Sequence, residues 1–163
     1  MGTLLASAVL GLGLVTSGNF AVDGVVRHGS VAVATIQPRN GAPGYSWLRV
    51  YFYPSALSAH DRTAAATGRI AAIRQPWAAV LQFTLDESRR VWQIDLSLPG
   101  HTCTVAESDK EALRMLSRFQ LEGRQLRLVS RGSHVCDMTS PHVPNQAFTW
   151  DVDLAMPVVQ VAR

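Results

Sequence analysis

The chain has 163 residues, 47% hydrophobic and 17% charged, with a mean hydropathy of +0.09. One domain of about 100 to 200 residues fits that length, and the apolar share can fill a core, which excludes a disordered chain or two full domains. The net charge of +3 comes from 14 Arg and one Lys against 12 acids, with the Arg scattered rather than gathered into a nucleic-acid-binding tract; past the N-terminus no apolar run approaches the roughly 20 residues of a membrane span.

Residues 3–15 are apolar or small, with Leu4, Leu5, Leu10, Leu12 and Leu14, and Thr16-Ser17-Gly18 follows. This matches the hydrophobic and cleavage regions of a secretory leader, although no Lys or Arg precedes it. Val15 and Ser17 suit a signal peptidase, so residues 1–17 are expected to be a leader and residues 18–163 one β-rich domain, secreted or periplasmic. Asp23-Gly24 between the apolar segment 19–22 and a second made of Val25, Val26 and the run 30–36 predicts a hairpin. Residues 37–46, with Pro38, Asn40-Gly41 and Pro43-Gly44, read as a loop. Residues 47–53 predict a strand with Trp47, Arg49, Tyr51 and Tyr53 on one face and Leu48, Val50 and Phe52 on the other.

The Ala-rich stretch 55–68 predicts a short helix capped by Ser55 or Ser58 and closed by Gly68. Residues 77–85 and 91–98 predict strands joined by the polar loop 86–90, the second with Trp92, Ile94, Leu96 and Leu98 on one face. A Pro99-Gly100 turn leads to a strand over 101–106. Beyond it, a helix over 109–119 is capped by Ser108 and carries Ala112, Met115, Leu116 and Phe119 on its inner stripe. A hairpin over 120–130 turns at Gly123-Arg124, and residues 147–154 form the last clear strand before Pro157. Strands at short spacing with one or two small helices predict a mainly β fold, an antiparallel β-sandwich or open barrel.

Two His-x-Cys pairs, His101 with Cys103 and His134 with Cys136, carry the most suggestive chemistry. Residues two apart on a strand share a face, so each pair sets an imidazole beside a thiol. The expectation is a Cys103–Cys136 disulfide, which forms readily between exported thiols and would contribute roughly 4 kcal/mol by restricting the unfolded chain. The alternative is a zinc or copper site built from His101, Cys103, His134 and Cys136, with Asp137 and His142 close in sequence. A disulfide removes the thiolates that such a site needs.

For nucleophilic catalysis the local cluster is Ser58, His60 and Asp61, but adjacent residues on a helix diverge by about 100° and cannot meet as a triad. Ser133 and His134 point to opposite faces of a strand. Asp86, Asp95, Glu107 and Glu122 are carboxylates whose separation the sequence does not fix. Asp151 and Asp153 share a strand face without a calcium loop. Arg114, Arg118, Arg124, Arg127 and Arg131 have Phe119 as the one nearby aromatic and Glu111 and Glu122 among them, which reads as a solvated surface; no nucleic acid is expected as partner. No motif asks for a cofactor. Trp47, Tyr51 and Tyr53 on one strand face either form a stacking surface for a sugar or protein or belong to a core. The reading that follows is a non-catalytic binding module for a protein or polysaccharide partner. A metal protein is the rival and a small extracytoplasmic hydrolase the third.

Overall fold

Alternation of apolar and polar residues builds ten strands, and the computed structural model describes them within residues 14–136 and 144–161. They are β1 (Leu14–Val22), β2 (Val25–His28), β3 (Val31–Pro38), β4 (Ser46–Tyr53), β5 (Ala79–Leu85), β6 (Val91–Leu98), β7 (His101–Ala106), β8 (Leu116–Glu122), β9 (Gln125–Cys136) and β10 (Gln146–Gln160). Two short helices, α1 (Ala59–Ala66) and α2 (Asp109–Met115), and a 3-10 turn at Ile70–Ala72 are the helical elements among the described residues. Residues 1–13 of the expected leader, and Asp137 and His142, lie outside the described residues. Residues 14–17 of that leader already belong to β1, and a cut after Ser17 would leave Gly18 to Val22 paired with Val152 to Phe148.

β10 joins two layers. It pairs antiparallel with β1 on one flank and with β9 on the other, and its last residues, Val158 to Gln160, pair parallel with Ala34 to Ile36 of β3. One layer therefore reads β2-β1-β10-β9-β8 and the other runs from the end of β10 through β3-β4-β5-β6-β7. Met156 and Pro157 fall between the last β1 partner, Ala155, and the first β3 partner, Val158. A proline, with no N–H to donate, suits a gap in a ladder. Pro157 therefore does not end the strand, as sequence alone suggested; it marks where the strand changes layers.

The layers face each other through their inner residues. Phe20 of β1 meets Phe52 of β4 at 4.9 Å between ring centroids, and Phe83 of β5 meets Phe119 of β8 at 5.4 Å. Phe20, Phe52, Phe83 and Phe148 are wholly buried, and each contributes about 1.5 to 3 kcal/mol by leaving water. The result is a mainly β sandwich, antiparallel except for β3 with β10. Its barrel-like path stays open between β7 and β8, where α2 buries Ala112. On the far side of β3 and β4, Val33, Tyr53, Leu57 and Ala65 form a second, smaller core under α1.

Several local signals act as the sequence suggests. Asp23-Gly24 turns the β1–β2 hairpin, and Asp23 docks it onto β10: its N–H donates to Ala147 O at 2.8 Å while Ala147 N–H donates to its Oδ1 at 2.8 Å. Ser58 and Ser108 cap α1 and α2. The second segment, Val25, Val26 and the run 30–36, forms two strands, β2 and β3, parted at Gly29, where a Cβ would lie 2.7 Å from that of Phe52. The helix expected over 109–119 stops at Met115, because Leu116 onward pairs with β9 and its apolar residues serve a strand face. Trp92 points outward, 45% exposed: Thr84 faces Gln93 and Leu85 faces Val91, so a bulge skips it and turns Val91 inward instead.

Between the layers Trp150 Nε1 donates to Ser130 Oγ at 2.9 Å, and Ser130 Oγ donates to Met115 O at 2.8 Å. Gly132 faces Trp150 in the β9–β10 register, and a Cβ there would lie 2.4 Å from Trp150 Cζ2. Gly132→Ala should therefore destabilise the fold by about 1 to 3 kcal/mol in urea unfolding, the cost of overpacking a filled core.

Candidate functional site

The register that buries Leu48, Val50 and Phe52 turns the alternate residues of β4 to the outer face of the β3–β7 layer. There Thr35, Arg49, Gln82, Asp95 and Thr104 stand opposite one another on five successive strands. Arg49 Nε donates to Gln82 Oε1 at 2.6 Å and Gln82 Nε2 donates to Asp95 Oδ2 at 3.1 Å. Thr104 Oγ1 donates to Asp95 Oδ1 at 2.7 Å, and Gln93 Nε2 reaches both carboxylate oxygens at 2.9 and 3.0 Å. Asp95 thus accepts from three side chains, which holds the row in one arrangement.

Trp47 and Tyr51 flank this row from either side of Arg49, about 13 Å apart at strand rise. The Arg49 guanidinium carbon lies 4.6 Å from the Trp47 ring centroid and that of Arg39 lies 5.8 Å from it. Both aromatic side chains are half-buried. Thr35, Gln37, Arg49 and Tyr51 also floor a groove of about 580 Å³ walled by Arg69 and Ile70. Tyr53 does not share this surface. It is 3% exposed beneath α1, and burial pushes its phenol above the ordinary tyrosine range, with Tyr51 and Asp61 adding to the shift. Of the aromatic surface expected from Trp47, Tyr51 and Tyr53, Tyr53 is therefore removed, because the helix that follows β4 covers it, while half-buried Tyr51 packs at the edge of the same small core.

The two His-x-Cys pairs come together at the open edge. β8 pairs with β9 only from Gln125 to Ser130, so the rest of β9 runs past it and faces β7. Cys103 and Cys136 form a disulfide there, with Cα atoms 5.9 Å apart. The ligand nitrogen of His134 and the two sulfurs lie within 4.8 Å of one another. His101, the fourth residue of the alternative metal set, stands apart from that group, its Nδ1 hydrogen-bonded to Gln146 Oε1 at 2.9 Å.

The catalytic candidates are occupied elsewhere. Ser58 Oγ accepts from Asp61 N–H at 3.1 Å as a helix cap, and Asp61 Oδ1 accepts from Arg74 N–H at 2.8 Å, while His60 is exposed. The Arg74 N–H bond is the main reason the Asp61 carboxyl sits below its ordinary range; burial opposes the shift and Ser58 assists it. Asp86 organises the β5–β6 loop, accepting from the N–H groups of Ser88 and Arg90 and pairing with the Arg90 side chain. Glu107 precedes α2 and Glu122 ends β8, both exposed. Asp151 pairs with Arg131 at 2.8 Å and Asp153 with Arg127, so two of the five arginines of the basic stretch are neutralised.

Comparison with known protein families, curated proteins and solved structures finds no match to this chain.

Two outcomes follow from these placements. Tyr53→Ala should cost about 3 to 5 kcal/mol in chemical unfolding, as a buried aromatic truncation does. Ionised Asp61 stabilises the fold above the unfolded carboxyl value of about 3.9, and that contribution is lost as pH falls through its lower folded value. Asp61→Asn should lower the melting temperature at pH 7 and flatten its decline between about pH 5 and pH 2. Parallel acid limbs for the two proteins would remove Asp61 from the account.

Proposed function

We propose that the protein is an extracytoplasmic, non-catalytic binding module that holds an extended polysaccharide on the outer face of β3 to β7. The observation that carries this reading is the row Arg49–Gln82–Asp95–Thr104 flanked by Trp47 and Tyr51. Aromatic rings pack against the apolar C–H face of a pyranose, and guanidinium, carboxamide, carboxylate and hydroxyl groups exchange hydrogen bonds with its hydroxyls. Because these side chains already bond to one another, little rotamer freedom remains to be lost on binding. A row across four strands also suits a long ligand better than a small one held in an enclosed cavity.

The extracytoplasmic part of the proposal draws on the Cys103–Cys136 disulfide and the leader-like run at residues 3–15. Among the described residues no helix is long and apolar enough to cross a membrane. The non-catalytic part draws on Ser58 and Asp61, whose polar groups serve α1 and its flanking loop.

Co-sedimentation of the full chain with insoluble cellulose, chitin, starch and peptidoglycan tests the proposal. Retention by at least one polymer is expected. Trp47→Ala should weaken that retention by about 30-fold, the counterpart of losing roughly 2 kcal/mol at a binding hot spot. Gln93→Ala should weaken it less, with folding intact by circular dichroism. No retention on any of the four, or equal retention by a folded Trp47→Ala protein, would reject the polysaccharide reading.

A further inference from the structure

We propose that the open edge between β7 and β9 is a redox-gated zinc site, a disulfide when oxidised and a Cys103–His134–Cys136 metal centre when reduced. The site is distinct from the outer face that carries Trp47, since Cys103 and Cys136 belong to the buried core between the layers. Thiolate and imidazole ligands together select zinc and similar borderline cations over calcium or magnesium. In tetrahedral geometry with Zn–S of about 2.3 Å and Zn–N of about 2.0 Å, ligand atoms lie roughly 3.5 to 3.8 Å apart. The three ligand atoms already lie within 4.8 Å of one another. Parting the two sulfurs by that amount is a side-chain rotation, with the backbones able to stay at a Cα separation of 5.9 Å. The fourth position is left for water, because His101 is held by Gln146 Oε1.

The conversion balances with a dithiol as reductant. Its two electrons and two protons break the Cys103–Cys136 bond and leave two protein thiols, and the reductant becomes a disulfide. Zinc then displaces both thiol protons and takes the His134 nitrogen as a neutral donor. In the oxidised protein the sulfurs bond to each other and no thiolate is on offer, so the two states exclude one another.

The test uses the full chain, either oxidised or reduced with dithiothreitol and then desalted without air. Cobalt titration reports thiolate-to-metal charge-transfer bands, and zinc displaces the cobalt. The reduced protein should bind one metal per chain and show those bands, while the oxidised protein should show none. His134→Gln should weaken zinc binding by at least the roughly 10- to 100-fold that losing a supporting outer-shell contact costs. The Cys103→Ser, Cys136→Ser double variant should bind none. Absence of the bands after reduction would overturn the proposal, as would equal affinity in His134→Gln. Metal uptake only by a reduced chain that has lost its β-sheet circular dichroism would overturn it too, since the site would not then belong to the fold.

Discussion

Everything in this fold depends on the register of β10. From Phe148 to Val158 its inward residues, Phe148, Trp150, Val152, Leu154, Met156 and Val158, are all buried, and the strand is hydrogen-bonded to β1, β9 and β3. A slip of one residue would turn all six to the solvent side, so one register is strongly preferred. Because the same strand belongs to both layers, fixing it also fixes how β3 is offered to β4 and, through the successive ladders, where β7 lies. The disulfide between β7 and β9 closes that circuit covalently.

The outer face is a by-product of the same periodicity. Once Leu48, Val50 and Phe52 are drawn inward, Trp47, Arg49 and Tyr51 have no other side to occupy, and the antiparallel register brings Gln82, Asp95 and Thr104 level with Arg49. A carboxylate in the middle of a sheet face would ordinarily be surrounded by water. Here three side chains donate to Asp95, and their donation fixes the position of Gln82, which in turn accepts from Arg49. The row is therefore a connected unit, and its members would respond together to a ligand or to a substitution.

How far the sequence speaks for itself can be judged element by element. The alternating faces of β4, the Asp23-Gly24 turn and the caps Ser58 and Ser108 are local, and local rules find them. Leu116 to Glu122 is ambiguous, because Leu116 and Phe119 fit a helical stripe as well as a strand face, and only the presence of β9 as a partner decides. The Trp92 bulge and the layer change at Pro157 likewise depend on neighbouring strands. At the candidate sites the residue types are visible in advance and their company is not. Trp47 and Tyr51 stand out by kind, whereas the Arg49–Gln82–Asp95–Thr104 row draws one residue from each of four strands and exists only once they are in register. The His-x-Cys pairs announce their chemistry, but their meeting relies on β8 being shorter than β9, a fact about lengths that no spacing within either pair contains.

The bond that Asp23 makes with Ala147 joins positions 124 residues apart, and the whole β1–β10 ladder is of this kind. The ladder partners of β1 are β2, which follows it directly, and β10, the last of the ten strands in chain order. A two-stranded hairpin is marginal alone. The layer β2-β1-β10-β9-β8 therefore cannot assemble strand by strand in chain order and closes only once β10 is in place, whereas β3 to β7 pair with their successive neighbours. Such a topology makes folding slow compared with proteins built from local contacts. It also gives any machinery that must thread an unfolded polypeptide a long interval in which to do so.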